Sequence, residues 1–380
     1  MLICFESNTE AKKALDALLE TKEFRDVSEV VCMALMNYEA MHRTIGKSGA
    51  IIGEPTPQPK PPASVKGGPA QAAVSNSPSR DSGFAASWKD ALDPFSLKVS
   101  SIEGVETLPV TEAEKPAAAD LPPRDWLFGQ LNRFLPVKAT CRALLNMERQ
   151  NPKGVVVSDA SSKIAFAACR LGDYLRDLDI RFNFNRDYSI AAAFPSTEYH
   201  GAESRVRFGS QFVGTLRQGK LTGLPAGIGL LGHDSSRDPR LVLTQPGAQF
   251  ALMPNPLLDF TESPGREKLS EAEIRFLLEH IRKHVPIEVS AYGAIIDGIK
   301  DKANTPEKLD DYLCRRFRLQ VVDRADPKKN EEITKTFLST QRTGAVSRMA
   351  DLNLLWREKK GLNVSYTVSH PGEVFRSEIR

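Results

Sequence analysis

Two short motifs in the sequence have the spacing of known chemical sites. Residues 227–232 fit the pattern G-x-G-x-x-G, whose glycines let the pyrophosphate of a dinucleotide approach the backbone at the start of a helix. The residues after this motif, however, predict a turn and then an apolar strand from Leu241 to Leu243, where a dinucleotide site needs a helix. The sequence therefore predicts no nucleotide cofactor.

His280 and His284 stand four residues apart on a predicted helix, a spacing at which two imidazoles can share a metal ion. No glutamate follows His280, and no third ligand is close in the sequence. We therefore interpret the two residues as solvated histidines on a charged helix face, and we predict no metal site.

The five cysteines are scattered and form no C-x-x-C pair. This argues against both a zinc site and a disulfide framework, and it indicates a reducing compartment. No nucleophile or acid–base residue has a partner at a recognisable spacing, so no enzyme is predicted and no catalytic residue is assigned. A divergent nuclease, whose site would be assembled from distant residues, stays open.

The charge balance and the apolar pattern bear on partners and location. Lys and Arg number 51 against 48 Asp and Glu in 380 residues, so a nucleic-acid surface has to be a local patch. The sequence begins with an alternating strand and an amphipathic helix rather than a basic and then apolar leader, and it contains no long charge-free apolar run. It predicts a cytoplasmic protein with no membrane contact.

Composition divides the chain into a small module (1–45), a Pro-, Gly-, Ala- and Ser-rich linker (46–123) and two globular units (124–265 and 266–380). Within the linker, residues 84–96 carry apolar side chains near helical spacing. These side chains are Phe84, Trp88, Leu92 and Phe95. They can bind a protein partner or rest on their own chain, and the sequence favours neither interpretation.

An internal repeat links the two globular units. Residues 243–250, LTQPGAQF, and 368–375, VSHPGEVF, both read as a strand end, a capping hydroxyl, a Pro in the first helical turn and an inward Phe. Upstream, LPVK at 135–138 and VPIE at 285–288 each introduce a long amphipathic segment. The sequence thus predicts two copies of one architecture.

The N-terminal module combines an alternating strand at residues 2–7 with two amphipathic helices. Such a small unit cannot bury its own apolar surface, so it is expected to pair with a second copy. In residues 18–31 and in Ala34-Leu35 it resembles ribbon-helix-helix proteins, especially the antitoxin-type members. The resemblance implies a homodimer through residues 1–45 whose two strands form a ribbon, commonly inserted into the major groove of DNA. Because Leu2, Cys4 and Glu6 would face outward and are poor donors to base edges, dimerisation is favoured over base readout.

The last unit has a short helix at 332–338, a polar turn, a second helix at 344–355 and then a hairpin with a basic tip. Residues 346–355, the hairpin and residues 366–372 resemble winged-helix transcription regulators, including the multiple-antibiotic-resistance-regulator type. The resemblance implies that the second helix enters the major groove of double-stranded DNA while the hairpin meets phosphates. The predicted DNA contacts of this unit are Gln341, Arg342, Thr343, Ser347, Arg348, Lys359 and Lys360.

The upstream unit is predicted to be winged-helix-like too, with a helix over 205–216 and a hairpin over 227–244. Its predicted phosphate contacts are Arg205, Arg207 and Gln211, and the alternative is a packing platform for the last unit. The predicted fold is thus mainly α with small β hairpins: a ribbon-helix-helix module, a linker and tandem winged-helix units. The favoured function is a dimeric, sequence-specific transcriptional regulator. The alternative is a DNA-binding or adaptor subunit of a plasmid-maintenance, mobile-element or phage-defence assembly.

Overall fold

The chain divides into two compact units, Met1–Asn76 and Ser77–Arg380. The computed structural model describes residues 88–109, 121–151, 154–184, 188–197, 201–259, 264–326, 329 and 331–379, all of which belong to the second unit. The predicted ribbon-helix-helix module, its dimer contact and Phe84 lie outside the described residues. Within them the fold is mainly helical with small sheets, which confirms that part of the prediction.

The first half of the described unit has five α-helices and five short strands in chain order. They are α1 (Leu135–Gln150), β1 (Val155–Val156), α2 (Val157–Arg181), α3 (Gly201–Phe208), β2 (Leu216–Arg217), β3 (Lys220–Leu221), α4 (Leu224–Gly227), β4 (Leu231–His233), β5 (Arg240–Leu243) and α5 (Gln245–Leu252). A π-helical turn over Gly209–Val213 continues α3. The predicted helix over 205–216 therefore changes pitch and ends earlier, at Gly214, whose φ of 131° breaks it.

The second half adds five helices and four strands. They are α6 (Glu271–His284), α7 (Pro286–Lys300), α8 (Pro306–Phe317), β6 (Gln320–Val321), β7 (Glu332–Ile333), α9 (Lys335–Asp351), β8 (Leu355–Lys360), β9 (Asn363–Val368) and α10 (His370–Glu378). The two short helices predicted between 332 and 355 are one continuous helix, α9. The polar turn expected between them does not form.

The strands make four small sheets. β5 lies between β1 and β4 in an antiparallel three-stranded sheet, and β2 pairs with β3. β6 and β7 are parallel. The longest ladder joins β8 and β9 from Leu355 opposite Val368 to Lys360 opposite Asn363. The hairpins predicted within 227–244 and 356–369 are thereby confirmed.

Helix starts follow the capping rules that the sequence suggests. The Ser270 hydroxyl accepts a hydrogen bond from the Glu273 amide, and the Glu273 carboxylate accepts one from the Ser270 amide, which together form a capping box at the start of α6. Thr305 caps α8, and Pro306 fills its first helical position, where no amide partner is needed. These local contacts fix where each helix begins before tertiary packing is considered.

The repeated sequence motif forms the same corner twice. Thr244 Oγ1 accepts from the Gly247 amide at 3.1 Å and donates to the carbonyl of Gly229 at 2.8 Å. Ser369 Oγ accepts from the Gly372 amide at 3.1 Å and donates to the carbonyl of Asn353. In both corners a hydroxyl thus caps the following helix and also contacts the chain entering the hairpin.

The glycine of each corner is required by close approach rather than by backbone conformation. A Cβ at Gly247 would lie 1.9 Å from the Leu230 carbonyl oxygen, and one at Gly372 would lie 2.1 Å from that of Leu354. Gly229 and Asn353, which immediately precede these carbonyl residues, both adopt left-handed φ values of 73° and 57°. The two copies of the predicted repeat therefore form the same hydrogen bonds and the same close approaches at these two corners.

The segment 88–109, which composition assigns to the linker, belongs to the core. Ala91, Leu92 and Phe95 are 2%, 1% and 0% exposed and join the same hydrophobic cluster as the helices. The Asn146 side chain donates to the carbonyls of Pro94 and Ser96 at 3.0 and 3.1 Å. This part of the linker prediction is wrong, because the apolar residues of a short island are enough to anchor it when helix α1 offers hydrogen bonds to its backbone.

The predicted partner-docking motif is corrected with it. Leu92 and Phe95 cannot present their side chains to another protein, since both are buried within their own chain. Trp88 is half-buried and packs at 5.9 Å between ring centroids on Tyr174 of α2. From Trp88 onward the motif rests on its own chain, which is the second of the two interpretations.

Candidate nucleic-acid interface

Helix α9, the predicted DNA-reading helix, lies in the protein interior. The segment 121–134 crosses it so closely that a Cβ at Gly129 would lie 2.0 Å from the Thr340 carbonyl oxygen, and a Cβ at Gly344 would lie 2.2 Å from that of Gly129. Gln341 is 1% exposed; its amide donates to the Pro123 carbonyl and accepts from the Gly129 amide at 3.0 and 2.5 Å. Gln341 therefore joins two segments of one chain and is not free to read a base.

Two arginines of α9 are likewise buried in ion pairs. Arg348 and Glu288 are both 0% exposed, and two hydrogen bonds of 2.7 Å join them. Arg342 binds Asp310 with bonds of 2.6 and 3.2 Å and donates to the Tyr366 hydroxyl at 3.2 Å. The prediction that Gln341, Arg342 and Arg348 face DNA is wrong, because each is held by partners that are distant in the sequence.

The other two predicted DNA contacts on α9, Thr343 and Ser347, differ in exposure. Thr343 is exposed and Ser347 is half-buried. Asp351, at the end of the same helix, is buried and accepts hydrogen bonds from Arg133 and Lys268, each at 3.2 Å. Two isolated hydroxyl residues on a covered helix do not make a groove-reading surface.

The β8–β9 hairpin does project from the body as predicted. Every residue from 356 to 363 is exposed, including Lys359 and Lys360. Gly361 has a left-handed φ of 63°, which the tight two-residue turn requires, and the next residue, Leu362, is 98% exposed. Glu358 lies 3.6 Å from Lys360 and offsets part of its charge. The hairpin tip is a small basic surface with an apolar residue at its apex.

In the first half, Arg205 and Arg207 project from α3 into two different depressions. Arg205 lines a groove of about 780 Å³ between α3 and the first turns of α2, whereas Arg207 lines a separate cavity together with Gln211. The guanidinium of Arg205 lies 5.8 Å from the ring centroid of Phe166, which is 64% exposed. The three predicted phosphate contacts therefore line two separate depressions, Arg205 in one and Arg207 with Gln211 in the other.

The groove beside Arg205 has a mainly apolar lining that also contains several groups able to bind an anion. Ser158, Ser161 and Ser162 line it from the first turns of α2, a 25-residue helix whose N-terminal end carries partial positive charge. Gly209 forms part of its wall, and a Cβ there would lie 2.7 Å from Ser161 Oγ, so glycine lets α3 approach α2. Hydroxyl donors, a helix N-terminus and a guanidinium thus meet in one depression.

Two basic loops frame this groove. Leu216 and Pro239 line it, which places the β2–β3 hairpin and the loop between β4 and β5 at its edges. The first loop carries exposed Arg217 and Lys220, and the second carries exposed Arg237. We name the groove and these four residues, Arg205, Arg217, Lys220 and Arg237, the basic groove.

The charge of the basic groove is partly balanced. Exposed Asp159, Glu203 and Asp238 lie on the same elements. The backbone amide and the side chain of Arg240 both donate to the Asp234 carboxylate. These hydrogen bonds keep the pKa of Asp234 well below its usual range. The remaining excess of positive charge comes from Arg205 and from the two loop tips.

Sequence reasoning missed Arg217 and Lys220. The signal for them was present, because LRQGKL places two basic residues around Gln-Gly, where Gln218 and Gly219 take left-handed φ values of 50° and 75°. Each strand of this hairpin has only two residues, too few for an alternating pattern to register. His233 steadies the tip through a 3.0 Å hydrogen bond between its Nε2 and the Gly219 carbonyl.

The two motifs that first suggested chemistry have structural roles. His280 is 5% exposed, its Nε2 lies 2.7 Å from the Ile228 carbonyl, and burial lowers its pKa, so the interpretation as a solvated histidine is wrong. Within the part of the chain that the structure describes, no group of three metal-ligating side chains occurs. The glycines at 227, 229 and 232 belong to the corner between α4 and β4, not to a helix start.

Over the ranges described above, no helix is both long and apolar enough to cross a bilayer. No protein-family model matches the chain, and no curated protein and no solved structure is detectably similar to it.

Proposed function

We propose that this chain binds double-stranded DNA, and that the basic groove is its principal phosphate-binding surface. The observation that carries the proposal is the meeting of Arg205, the hydroxyl-lined N-terminal end of α2 and two basic loop tips around one groove. Backbone amides at a helix start, hydroxyls and guanidinium groups are the donors that position proteins on phosphates. The exposed basic loop tips on both sides of the groove can contact successive phosphates of an extended polyanion.

We further propose that both halves are winged-helix units. In support, the order α1, α2, α3 with its π-helical turn, β4–β5 hairpin and α5 in the first half matches the order α7, α8, α9, β8–β9 hairpin and α10 in the second. The same corner follows each hairpin, and α6 has no counterpart. The third segment is interrupted by the β2–β3 hairpin in the first half and is the continuous α9 in the second. On this proposal the two units have diverged, since the third helix is accessible in the first and covered in the second.

Because the units have diverged, each would contact DNA through a different element. Arg205 of the first unit is only half-buried, so this unit can approach phosphates with its third helical segment, whereas the second unit offers its β8–β9 hairpin. The hairpin lysines, Lys359 and Lys360, would supply further contacts to the DNA phosphates. A dimer through residues 1–45, proposed from sequence, would join two such bodies and raise affinity by avidity. Together these features favour a dimeric transcriptional regulator.

The basic groove is tested by equilibrium binding of the full chain to a labelled random duplex over a range of salt concentrations. The variant Arg205→Ala/Arg217→Ala/Lys220→Ala should bind weakly, and the slope of log K against log salt should fall by about 0.9 for each phosphate that the variant no longer neutralises. The matched control Arg275→Ala/Lys302→Ala/Lys308→Ala removes three exposed charges from α6, α8 and the loop before α8. Equal weakening in both variants would mean that net charge, not the groove, drives binding.

One observation favours a second function, that of an adaptor subunit in a larger DNA-bound assembly. Phe166 and Val206 are 64% and 74% exposed at the edge of the same groove, and exposed apolar side chains of this size favour protein contacts. Co-purification of a stoichiometric protein partner that is abolished in Phe166→Ser/Val206→Ser would favour the adaptor. Tight duplex binding by the isolated chain, unchanged in that variant, would favour the regulator.

A further inference from the structure

The cavity beside Arg207 is separate from the basic groove and differs from it in chemistry. It has a volume of about 580 Å³, within the range of small-molecule sites, and lies between segment 130–133, the loop 192–195 and α3. Its charged lining residues are Arg133 and Arg207, and no carboxylate lines it among the described residues. The cavity therefore suits an anion of small-molecule size.

The two arginines are held differently. Arg133 donates to Asp351 at 3.2 Å, and Asp351 is also bound by Lys268, so two cations share one buried carboxylate. Arg207 is exposed, and within the described ranges no carboxylate pairs with its guanidinium. A guanidinium in a fixed position and one on a freer side chain can together hold a phosphate, which accepts several charge-assisted hydrogen bonds.

An amide pair at the same cavity supplies a different kind of recognition. Gln211 Nε2 donates to Gln130 Oε1 at 2.8 Å. This bond leaves the Gln130 Nε2 group as a donor and Gln211 Oε1 as an acceptor on the cavity wall. A neighbouring donor and acceptor match the edge of adenine, whose N7 accepts and whose N6 donates.

The floor of the cavity is aromatic. Phe194 and Phe208 are 6% and 1% exposed, and their ring centroids lie 5.6 Å apart. The preceding residue, Ala193, has a left-handed φ of 75°, an unfavourable conformation for a residue with a Cβ, and it also lines the cavity. Because both rings are almost fully buried, the floor offers a base only a small apolar contact, and recognition of the base falls to the amide pair.

From these four features we propose that the cavity binds an adenine nucleoside monophosphate, with phosphate on Arg133 and Arg207 and the base edge on Gln130 and Gln211. The same chemistry is offered by a free nucleotide and by an unpaired nucleotide in a DNA strand. The proposal does not rest on duplex binding by the basic groove, because none of these four residues belongs to that groove.

Isothermal titration of the full chain with AMP, adenosine and inorganic phosphate tests the site. AMP should bind at one site per chain, and adenosine and phosphate should each bind more weakly by at least about tenfold. Arg207→Ala and Gln211→Ala should each weaken AMP binding by about tenfold at unchanged melting temperature, whereas Arg275→Ala should not. No AMP binding, an AMP affinity unchanged by Arg207→Ala, or equal affinity for phosphate and AMP would each overturn the proposal.

A second titration identifies the source of the nucleotide and separates the two proposals. The probe is a duplex with one unpaired adenosine, compared with the fully paired duplex. Tighter binding of the bulged duplex that disappears in Arg207→Ala assigns the site to a strand nucleotide, and AMP binding without such a preference assigns it to a free one. The groove variant Arg205→Ala/Arg217→Ala/Lys220→Ala should lose duplex binding and keep AMP binding. If this variant also loses AMP binding, AMP binds in the groove and the cavity assignment is refuted.

Discussion

Arg348→Met removes the cation from an ion pair whose two side chains are both 0% exposed and leaves the Glu288 carboxylate buried without its partner. Breaking a buried pair in this way costs about 3–5 kcal/mol, because the remaining charge is no longer compensated. Since domains are stable by only about 5–15 kcal/mol, this is a large fraction of the total. The free energy of unfolding, from urea titration followed by circular dichroism, should fall by that amount.

Two further variants isolate the cause. Arg348→Met/Glu288→Leu removes both charges and should recover part of the lost unfolding free energy, short of about 1–3 kcal/mol for the Leu131 carbonyl that loses its hydrogen bond from Arg348. Arg282→Met breaks a surface pair with Glu378, whose side chains are 37% and 47% exposed, and should cost less than about 1 kcal/mol. Duplex affinity should be unchanged in the double variant.

The reasoning fails if Arg348→Met is as mild as Arg282→Met, since Arg348 would then be solvated in solution. It also fails if the double variant unfolds normally but no longer binds duplex DNA. Either result would return α9 to the surface as a DNA-reading helix and would contradict its contacts with segment 121–134.

Three other outcomes follow from burial and charge. Burial lowers the pKa of His280 from its ordinary 6.5, so at acid pH the unfolded chain binds a proton that the folded chain excludes. The free energy of unfolding should therefore fall as the pH drops below 6.5. Urea midpoints measured across this pH range should fall less steeply in His280→Gln. Leu92→Ala should lower the unfolding free energy by about 2–5 kcal/mol, and an unchanged value would return residues 84–96 to the linker. Lys359→Ala/Lys360→Ala should reduce the salt slope of duplex binding by about 0.9 per lysine that meets a phosphate, and an unchanged slope would remove the hairpin from the interface.

Local signals made part of the fold predictable. The capping box at Ser270 and Glu273, the hairpin around Gly361 and the paired corners at Thr244 and Ser369 each depend on residues close together in the sequence. Hydrogen bonds of this kind have a fixed spacing, so residue type and order indicate them directly.

The burial of α9 could not be predicted in the same way. An arginine in an amphipathic pattern is expected to face solvent, because burying its charge is costly without a partner. The partner of Arg348 is Glu288, which lies 60 positions away, and that of Gln341 is the backbone near Gly129. Periodicity contains no information on such pairings, so three polar residues of the core were assigned to the surface.

The candidate site shows the same limit at smaller scale. Arg205 and Arg207 could be identified from sequence as basic residues on a helix, but their division between two depressions depends on how α2 and the loop 192–195 pack against α3. Arg217 and Lys220 sit in a hairpin too short to show alternation. Composition identified the residue types, and only tertiary packing brings them to one groove.

Photo-cross-linking from the β2–β3 tip tests duplex binding at the basic groove most directly. p-Benzoylphenylalanine is introduced at Gln218, exposed at the tip, or at Lys302, exposed in the loop before α8, and each protein is irradiated with an end-labelled duplex at moderate salt. The account predicts a protein–DNA adduct from position 218 that disappears when Arg205 and Lys220 are also replaced by Ala, and little adduct from position 302. Equal adducts from both positions, or adduct from position 302 alone, would contradict it.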